Sequence, residues 1–411
     1  MAQTFLSVLV VEHRMKTHRQ ECLCHQYRKN LLSHNLIMTT TPTTETTTQT
    51  GYIPQITGVR AIAAYMVFFH HFPILALPPF VLQIFKEFHT GVGLFFVLSG
   101  FLIFQRYFAT ATLDKRWWLT YLRNRVARIY PMYFLITIAS FASRLLRHGE
   151  FKPDVVFLNL TFLRGFSFDY LFTGVPQGWT LTVEECFYFS APLMFLAIRR
   201  WNFLVPLGMV YCTGFLLYLI GEAVQFKQFF SPGIFMFYYT FFGRCFEFFC
   251  GMWLAKFLMQ REAEGRMPQT RFITWLGVAC ALGCIYGMST FQGTPGLFMG
   301  VGMFHPIGGV LNNFLLPISY TMIYYGLIVE QSWLRRFLAT DIMVLLGKSS
   351  YIYYLIHMGL IQAIVSRILP HEHTTLGVIT QFIALNIISI LLFKFVEDPL
   401  NHWIRKVWKP K

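Results

Sequence analysis

The sequence predicts an all-α membrane protein, a polytopic bundle of about ten transmembrane helices with both termini in the cytoplasm. Three observations predict this fold class. Of the 411 residues, 55% are apolar and only 13% are charged, whereas soluble domains carry about 25% charged residues. From residue 59 onward, apolar windows of roughly 17 to 25 residues recur, the length at which a helix crosses the hydrocarbon of a bilayer. The basic residues, finally, concentrate in alternate linkers between these windows.

The apolar windows number ten, and each predicts one transmembrane helix. They cover residues 59–81, 91–107, 130–146, 179–198, 203–220, 233–259, 272–291, 308–329, 342–364 and 376–396. The longest interior linker, residues 147–178, leaves no room for a further domain, so any chemistry belongs to the bundle and its loops.

The basic residues predict the orientation of the bundle. With a cytoplasmic amino terminus and ten helices, 25 Lys and Arg lie on the inner side and seven on the outer side, while Arg60 and Arg244 lie within helices. Inner loops of membrane proteins are enriched in Lys and Arg. The excess of 34 basic over 19 acidic residues therefore indicates a protein embedded in the lipid bilayer, and no nucleic acid partner is predicted.

The domain organisation follows from composition. Residues 1–54 are predicted to be a disordered polar tail, because they are polar and close in a threonine-rich run. Met38 is an alternative start. Residues 55–403 form the transmembrane domain, and residues 404–411 a basic cytoplasmic tail.

The eight cysteines predict neither a disulfide framework nor a metal site. Most of them fall within apolar windows without a paired spacing. Cys22, Cys24 and His25 form the one local cluster, and we do not interpret it as a metal site.

Ionisable residues within the windows are functional candidates, because burying them in a bilayer costs several kcal/mol. They are Arg60, His70, His71, Glu184, Glu185, Arg244, Glu247, Lys348 and His357. Arg60 and His71 are eleven residues apart, close to three helical turns, so they share one face at a separation of roughly 16 Å. They either form hydrogen bonds with other polar groups inside the bundle or serve a function.

Three of these groups are predicted to reach one depth in the outer half of the bilayer. Counted from the ends of their helices, these are His71, Glu184 and His357. A base with an orienting carboxylate needs such an arrangement. A proton relay in a transporter would use the same groups, and depth alone does not separate the two.

The linker after the second window carries Arg123, Arg125 and Arg128 beside Trp117 and Trp118. Guanidinium groups bind phosphate bidentately and indole rings stack on bases, so this linker suits a nucleotide. A juxtamembrane basic cluster that contacts lipid headgroups has the same composition. Both interpretations stay open on these residues alone.

Two further pairs of charged residues are interpreted structurally. Arg244 and Glu247, three residues apart in one window, predict an internal ion pair. Glu397 and Asp398 close the last window at the inner surface, where we expect water to solvate them.

Seven sequence blocks occur in the order found in one family. The first is ITGVRAIAAYMVFFHH, in which ten residues separate Arg60 from His71. The next three are GVGLFFVLSGFLI, RNRVARIYP with Arg125 and Arg128, and GWTLTVEECFYFSAP with Glu184. The last three are RCFEFFCGMWLA, LLGKSSYIYYLIH and FVEDP. Over roughly residues 55–403 the chain therefore resembles the bacterial acyltransferase family 3, integral-membrane O-acyltransferases that modify sugars of surface polysaccharides and some small molecules.

The resemblance implies a membrane-embedded O-acyltransferase of the bacterial cytoplasmic (inner) membrane. Its donor would be acyl-coenzyme A, with acetyl expected, and its acceptor a hydroxyl of a sugar or lipid-linked glycan; no metal is implied. Thr180 stands where the family usually has Ser, and Gly93 where it often has a polar residue, which leaves the donor's acyl group open.

The resemblance also implies roles for six residues. His71 would act as general base or transient acyl acceptor, Glu184 would orient it, and His357 would assist. Arg60, Arg125 and Arg128 would hold the phosphate-rich head of the donor.

Two other functions remain compatible with the sequence. A proton-coupled multi-pass transporter would move its substrate without acyl-coenzyme A and often contains an internal repeat, which we do not find by eye. A scaffold subunit of a polysaccharide export complex would tolerate loss of both Arg60 and His71.

Overall fold

The computed structural model describes residues 52–112, 114–291, 300–369 and 374–408. Within these ranges the chain is helical, and Ser167 and Phe229 form an isolated antiparallel bridge in place of any β-strand. The all-α prediction is confirmed. Cys22, Cys24, His25, the threonine-rich run and most of the predicted amino-terminal tail lie outside the described residues. Of the predicted carboxyl-terminal tail, residues 404–407 belong to a helix, and residues 409–411 lie outside the described residues.

Seventeen α-helices are present in the described ranges. They are α1 Pro54–His71, α2 Pro79–Lys86, α3 Gly91–Tyr107, α4 Lys115–His148, α5 Pro153–Leu160, α6 Trp179–Arg200, α7 Leu204–Val224, α8 Gly233–Tyr239, α9 Phe241–Ala263, α10 Ile273–Ser289, α11 Pro306–Val310, α12 Leu316–Val329, α13 Trp333–Leu338, α14 Asp341–Ile356, α15 Leu360–Ile368, α16 Thr375–Leu392 and α17 Asp398–Val407. Two π turns, Leu311–Leu315 and Phe393–Glu397, join α11 to α12 and α16 to α17.

Each of the ten apolar windows contains a helix, but fewer helices meet a length and composition test for spanning. Five described helical segments pass it: Pro79–Tyr107, Lys115–Arg147, Pro176–Arg200, Leu204–Val224 and Thr375–Val407. A bent pair, α14 with α15, makes six. These segments establish a multi-pass membrane protein, whereas ten spans and cytoplasmic termini stay predictions.

The first window extends too far. Helix α1 ends at His71, and prolines at positions 73, 78 and 79 follow it. Because proline lacks an N–H and disfavours a helical residue before it, the helix cannot continue. His71 therefore lies at a helix terminus.

Helix α4 is twice the length of its window. It has 34 residues, or about 51 Å, because the basic linker before the window is itself helical. The Asp114 carboxylate caps it by accepting from the Trp117 N–H at 2.8 Å. Hydrogen bonds from the Thr112 hydroxyl and that N–H lower the pKa of Asp114, which keeps the cap charged.

Helices α3 and α9 pack with their backbones in close contact at the centre of the bundle. A Cβ added at Gly251 would lie 1.9 Å from the Val97 carbonyl oxygen, and one at Gly100 would lie 2.1 Å from that of Phe248. Only glycine fits at both positions, as in other closely packed membrane helices.

The helices have two ends that matter for function. At one end, which we call the histidine end, α1 and α14 finish and His71, His89 and His357 lie together. At the other, the arginine end, α3 and α17 finish, α4 begins, and Arg106, Arg125 and Arg405 lie together.

Candidate active site

His71 and His357 meet at the histidine end, as the sequence predicted. Their ring centroids are 5.5 Å apart, although 286 residues separate them in the chain. His71 is exposed at the end of α1, whereas His357 is fully buried where α14 gives way to α15. The chain turns by 91° there, with Gly359 at a φ of 89°, a conformation that favours glycine.

The hydrogen bonding of His357 fixes its neutral tautomer. Its Nδ1 lies 2.7 Å from the Tyr354 carbonyl oxygen, and because a carbonyl only accepts, Nδ1 is the donor. Nε2 is then a hydrogen-bond acceptor, and it has no partner in the described part of the chain. A buried, unpartnered imidazole acceptor beside an exposed imidazole is an arrangement suited to proton transfer.

Glu87 and His89 extend this cluster, and sequence reasoning missed both. The His70 ring lies 4.7 Å from that of His71 and 5.4 Å from that of His89. His89 Nε2 is 3.1 Å from the buried Glu87 carboxylate, which also accepts from the Gly302 N–H at 2.6 Å. Glu87 and His89 lie in the linker between the first two windows, outside the segments in which ionisable residues were sought.

Glu184 does not lie with His71, so its predicted depth is wrong. Its Oε1 accepts from the Ser99 hydroxyl at 2.7 Å, near the middle of α3, and its electrostatic partners include Arg60 and Arg125. The depth prediction failed because α6 begins beside His357, so that five further residues carry Glu184 about 7 Å deeper. It lies between the two ends of the bundle.

Hydrogen bonds connect the start of α6 to the helix that carries His357. The Gln177 side chain donates to the Leu355 carbonyl at 2.6 Å, and the Thr180 hydroxyl lies 3.1 Å from the Tyr354 hydroxyl. Thr180 stands where the resembled family usually has Ser, and its side chain supplies the same hydroxyl group.

The loop before α6 is held by Arg164, which is fully buried. Its guanidinium donates to the Val175 carbonyl at 2.6 Å and to the Thr173 carbonyl. Burial lowers the pKa of Arg164. The loop is therefore an ordered part of the histidine end.

Arg128 is already paired, which changes its predicted role. Its guanidinium forms an ion pair with Glu397, which is 2% exposed. The expectation that water solvates Glu397 is wrong, because the π turn Phe393–Glu397 directs it into the bundle. Arg60 lies in the same group, in electrostatic contact with Arg128, Glu397 and Glu184.

Arg125 is held by aromatic faces. Its guanidinium lies 5.5 Å from the ring centroid of Tyr107 and 5.7 Å from that of Tyr188. Its Nε has no hydrogen-bond partner in the described part of the chain. Trp117 stacks on Tyr121 at 5.2 Å, so one face of this predicted stacking residue is occupied.

Arg244 and Glu247 form the predicted internal ion pair. Both guanidinium contacts are short, 2.8 Å and 2.7 Å, and both side chains are buried. Gly93 leaves the space for it, since a Cβ there would lie 2.7 Å from the Glu247 carboxylate. The described residues contain no group of three His, Cys, Asp or Glu side chains placed to bind a metal ion.

The polar groups thus form a column through a membrane protein, from paired imidazoles at one end to guanidinium groups at the other. A family model described as an acyltransferase domain matches residues 53–394. The chain belongs to acyltransferase family 3. The resemblance inferred from seven sequence blocks is confirmed.

The chain is similar to several curated proteins over part of their length. The peptidoglycan O-acetyltransferase OatA of Listeria monocytogenes is 25% identical over 85% of the chain and 56% of the relative. The acyltransferase MdmB of Streptomyces mycarofaciens is 30% identical over 36% of the chain and 40% of the relative. A viral protein, ORF330 of Acidianus two-tailed virus, whose name gives acetyltransferase provisionally, is 35% identical over 40% of the chain and 48% of its own length.

The chain spans about half the length of these curated relatives. No solved structure matches it.

Proposed function

We propose that the protein is a membrane-embedded O-acyltransferase that moves an acyl group, expected to be acetyl, from acyl-coenzyme A to a sugar hydroxyl. The donor enters at the arginine end, which faces the cytoplasm of a bacterial cell. The acceptor, a sugar of a surface polysaccharide or glycolipid, is presented at the histidine end of a protein in the cytoplasmic membrane.

The observation that carries this proposal is the column between the two ends. Arg60 and His71 are separated by eleven residues of α1, or about 16 Å. The pantetheine arm of coenzyme A has twelve bonds between its phosphate oxygen and its sulfur, equivalent to four residues of extended backbone, or roughly 14 Å. A donor whose phosphates lie beside Arg60 and Arg125 therefore brings its thioester close to His71.

Charge and hydrogen bonding in the column suit that donor. Arg125 offers an Nε–H without a partner to a phosphate oxygen. Arg128 is paired with Glu397, so its guanidinium is not free to bind a phosphate. Glu184, beside Arg60 and Arg125, positions these two side chains instead of the base.

The chemistry balances without a further reactant. His71 accepts the proton of the acceptor hydroxyl, the oxygen attacks the thioester carbonyl, and the carbon–oxygen bond forms as the carbon–sulfur bond breaks. The departing thiolate then takes the proton from the imidazolium. A neutral imidazole is available for this role near pH 7.

His357 orients the base in this scheme. Its Nε2 is fixed as an acceptor, and the 5.5 Å ring separation brings it within reach of a His71 N–H after a small rotation of either ring. Catalytic hydrogen bonds are commonly longer in the unliganded enzyme than in its substrate complex. A bonded His71 N–H leaves the other His71 nitrogen free to accept the substrate proton.

The acceptor class is supported by OatA, whose name gives peptidoglycan as its substrate. Because the chain covers only about half of that relative, the acceptor polymer has to be identified by experiment.

The test is an acyl-transfer assay in proteoliposomes. Purified protein is reconstituted, radiolabelled acetyl-coenzyme A is supplied on one side of the membrane, and soluble peptidoglycan fragments or chito-oligosaccharides are supplied on the other. We expect acetylated sugar with the wild type and with His402→Gln, an exposed control, and about 10²- to 10⁴-fold slower acetylation with His71→Gln. Movement of the sugar without acetylation would overturn the proposal in favour of a transporter.

A further inference from the structure

We propose that Arg106 and Arg405, at the rim of the arginine end, bind the ribose 3′-phosphate of coenzyme A. This inference rests on the proposed function and deepens it, because it separates a rim site for a phosphomonoester from the deeper site beside Arg60 and Arg125. Neither Arg106 nor Arg405 belongs to the seven sequence blocks that carry the family resemblance.

The rim is built by two helices that are longer than a bilayer requires. Helix α4 and the continuous segment Thr375–Val407 have 34 and 33 residues, or about 50 Å each, against a hydrocarbon thickness of about 30 Å. They pack side by side at the arginine end, where Arg123 donates to the Trp408 carbonyl at 3.1 Å. This bond fixes α17, and with it Arg405, over the start of α4.

Arg405 lies among other guanidinium groups at the rim. The electrostatic partners of Arg405 are Arg106, Arg125 and Arg128, together with the Tyr107 ring. Of the carboxylates nearby, Glu397 is paired with Arg128, and Glu184 and Glu185 lie deeper on α6. Like charges held together in this way favour a polyanion between them.

Two guanidinium groups at this end of the bundle keep an N–H without a partner in the described part of the chain. The Nε atoms of Arg125 and Arg405 are buried without a partner in the described part of the chain. Arg106 and Arg125 both lie over the ring of Tyr107, at 5.7 Å and 5.5 Å. Arg125 also donates to the Tyr107 hydroxyl at 3.4 Å, so its unpartnered Nε–H is the group that it can offer to a phosphate oxygen.

The order of groups along the donor assigns the phosphate. Coenzyme A carries its diphosphate next to the pantetheine arm and its 3′-phosphate on the far side of the ribose. Arg60 and Arg125 lie nearest the column, whereas Arg106 is exposed and Arg405 is half-buried at the end of α17. The outermost guanidinium groups therefore meet the outermost phosphate.

The experiment compares two donors, acetyl-coenzyme A and acetyl-dephospho-coenzyme A, in vesicles of phosphatidylcholine alone. The wild type should have a KM about 10- to 100-fold lower for the complete donor, the value of one bidentate charge-assisted contact. In Arg405→Gln and in Arg106→Gln, KM for the complete donor should rise to that for the dephosphorylated one. The kcat, and KM for acetyl-dephospho-coenzyme A, should stay at wild-type values.

Lys406→Gln is the matched control, because it removes an equal charge from the next residue of α17, which is exposed. It should retain the preference for the 3′-phosphate. If Arg405→Gln fails to fold, Arg106→Gln, at an exposed position, tests the same site, and Arg405→Lys should give an intermediate KM.

Three outcomes would overturn the inference. The first is a wild type that uses both donors equally. The second is a rise in KM for both donors in the Arg variants, which would mean general electrostatics. The third is an Arg405→Gln defect that appears only when anionic lipid is added, which would assign the rim to lipid phosphate. Absence of acetylation from either donor by the wild type would instead refute the proposed function.

Discussion

The pairing of His71 and His357 gives the sharpest prediction about catalysis. If His71 is the base, His71→Gln should lower kcat about 10²- to 10⁴-fold, the usual contribution of a general base. His357→Gln removes only the acceptor that orients it. A hydrogen bond to a group that becomes charged contributes about 1.5 to 3 kcal/mol, so kcat should fall about 10- to 100-fold.

The double variant tests whether the two imidazoles act as one unit. Once His71 is absent, His357 has nothing to orient, so the double variant should be no slower than His71→Gln alone. The assay is acetyl transfer in proteoliposomes with both substrates saturating, and His402→Gln supplies the control. Glutamine at position 357 can still donate to the Tyr354 carbonyl, which preserves the turn between α14 and α15.

The reasoning would be refuted by a double variant whose loss equals the product of the two single losses. Such additivity would mean that each histidine acts by itself. A His357→Gln enzyme slower than His71→Gln would assign the base to His357 instead.

Three further predictions concern stability, each measured as the melting temperature from tryptophan fluorescence in detergent. Arg244→Met should cost about 3 to 5 kcal/mol by leaving the Glu247 charge buried alone, and Arg244→Met with Glu247→Met should recover most of it; equal losses would argue against the ion pair. Gly251→Val should destabilise by more than about 2 kcal/mol, because its Cβ meets the α3 backbone at 1.9 Å, whereas Gly283→Ala, with nothing within 4 Å, should have no effect. Burial alone would raise the pKa of Glu330, but hydrogen bonds from the hydroxyl and N–H groups at the start of α10 lower it overall. Glu330→Gln should therefore cost about 1 to 2 kcal/mol at pH 7. The difference should begin to shrink as the pH falls below about 4.3, where the carboxylate of the unfolded chain takes up a proton, and it should be lost once the folded carboxylate, with its lowered pKa, is protonated as well; a pH-independent difference would contradict this.

Hydropathy predicted the helices well where apolar runs and helix ends coincide. Helix α3 has the bounds of its window, residues 91–107. The windows failed where a helix changes polarity or direction. Helix α4 begins 15 residues before its window because charged residues form its first four turns, and the chain turns at His357 within a continuous apolar run.

The candidate site was predicted in part. Spacing on one helix placed Arg60 and His71 on a common face, and counting residues brought His357 to His71. The same counting misplaced Glu184, because the depth at which α6 begins depends on the loop held by Arg164 and Gln177 rather than on hydropathy.

The partner of Arg128 could not be predicted for a similar reason. Glu397 follows Arg128 by 269 residues, and it stands next to polar residues at the end of an apolar run, where solvation is the ordinary expectation. Its burial depends on a π turn, which no pattern in the sequence indicates.

That π turn also determines which way the last helix faces. Five residues, Phe393–Glu397, take the place of four in the helical repeat, and one additional residue rotates everything beyond it by about 100° about the axis. Without the insertion, Arg405 would swing away from α4 toward a neighbouring surface, and Glu397 would leave Arg128. The one extra residue of this π turn therefore sets the directions of both Glu397 and Arg405. A change in the length of the turn should disrupt the site as much as the replacement of either charged residue.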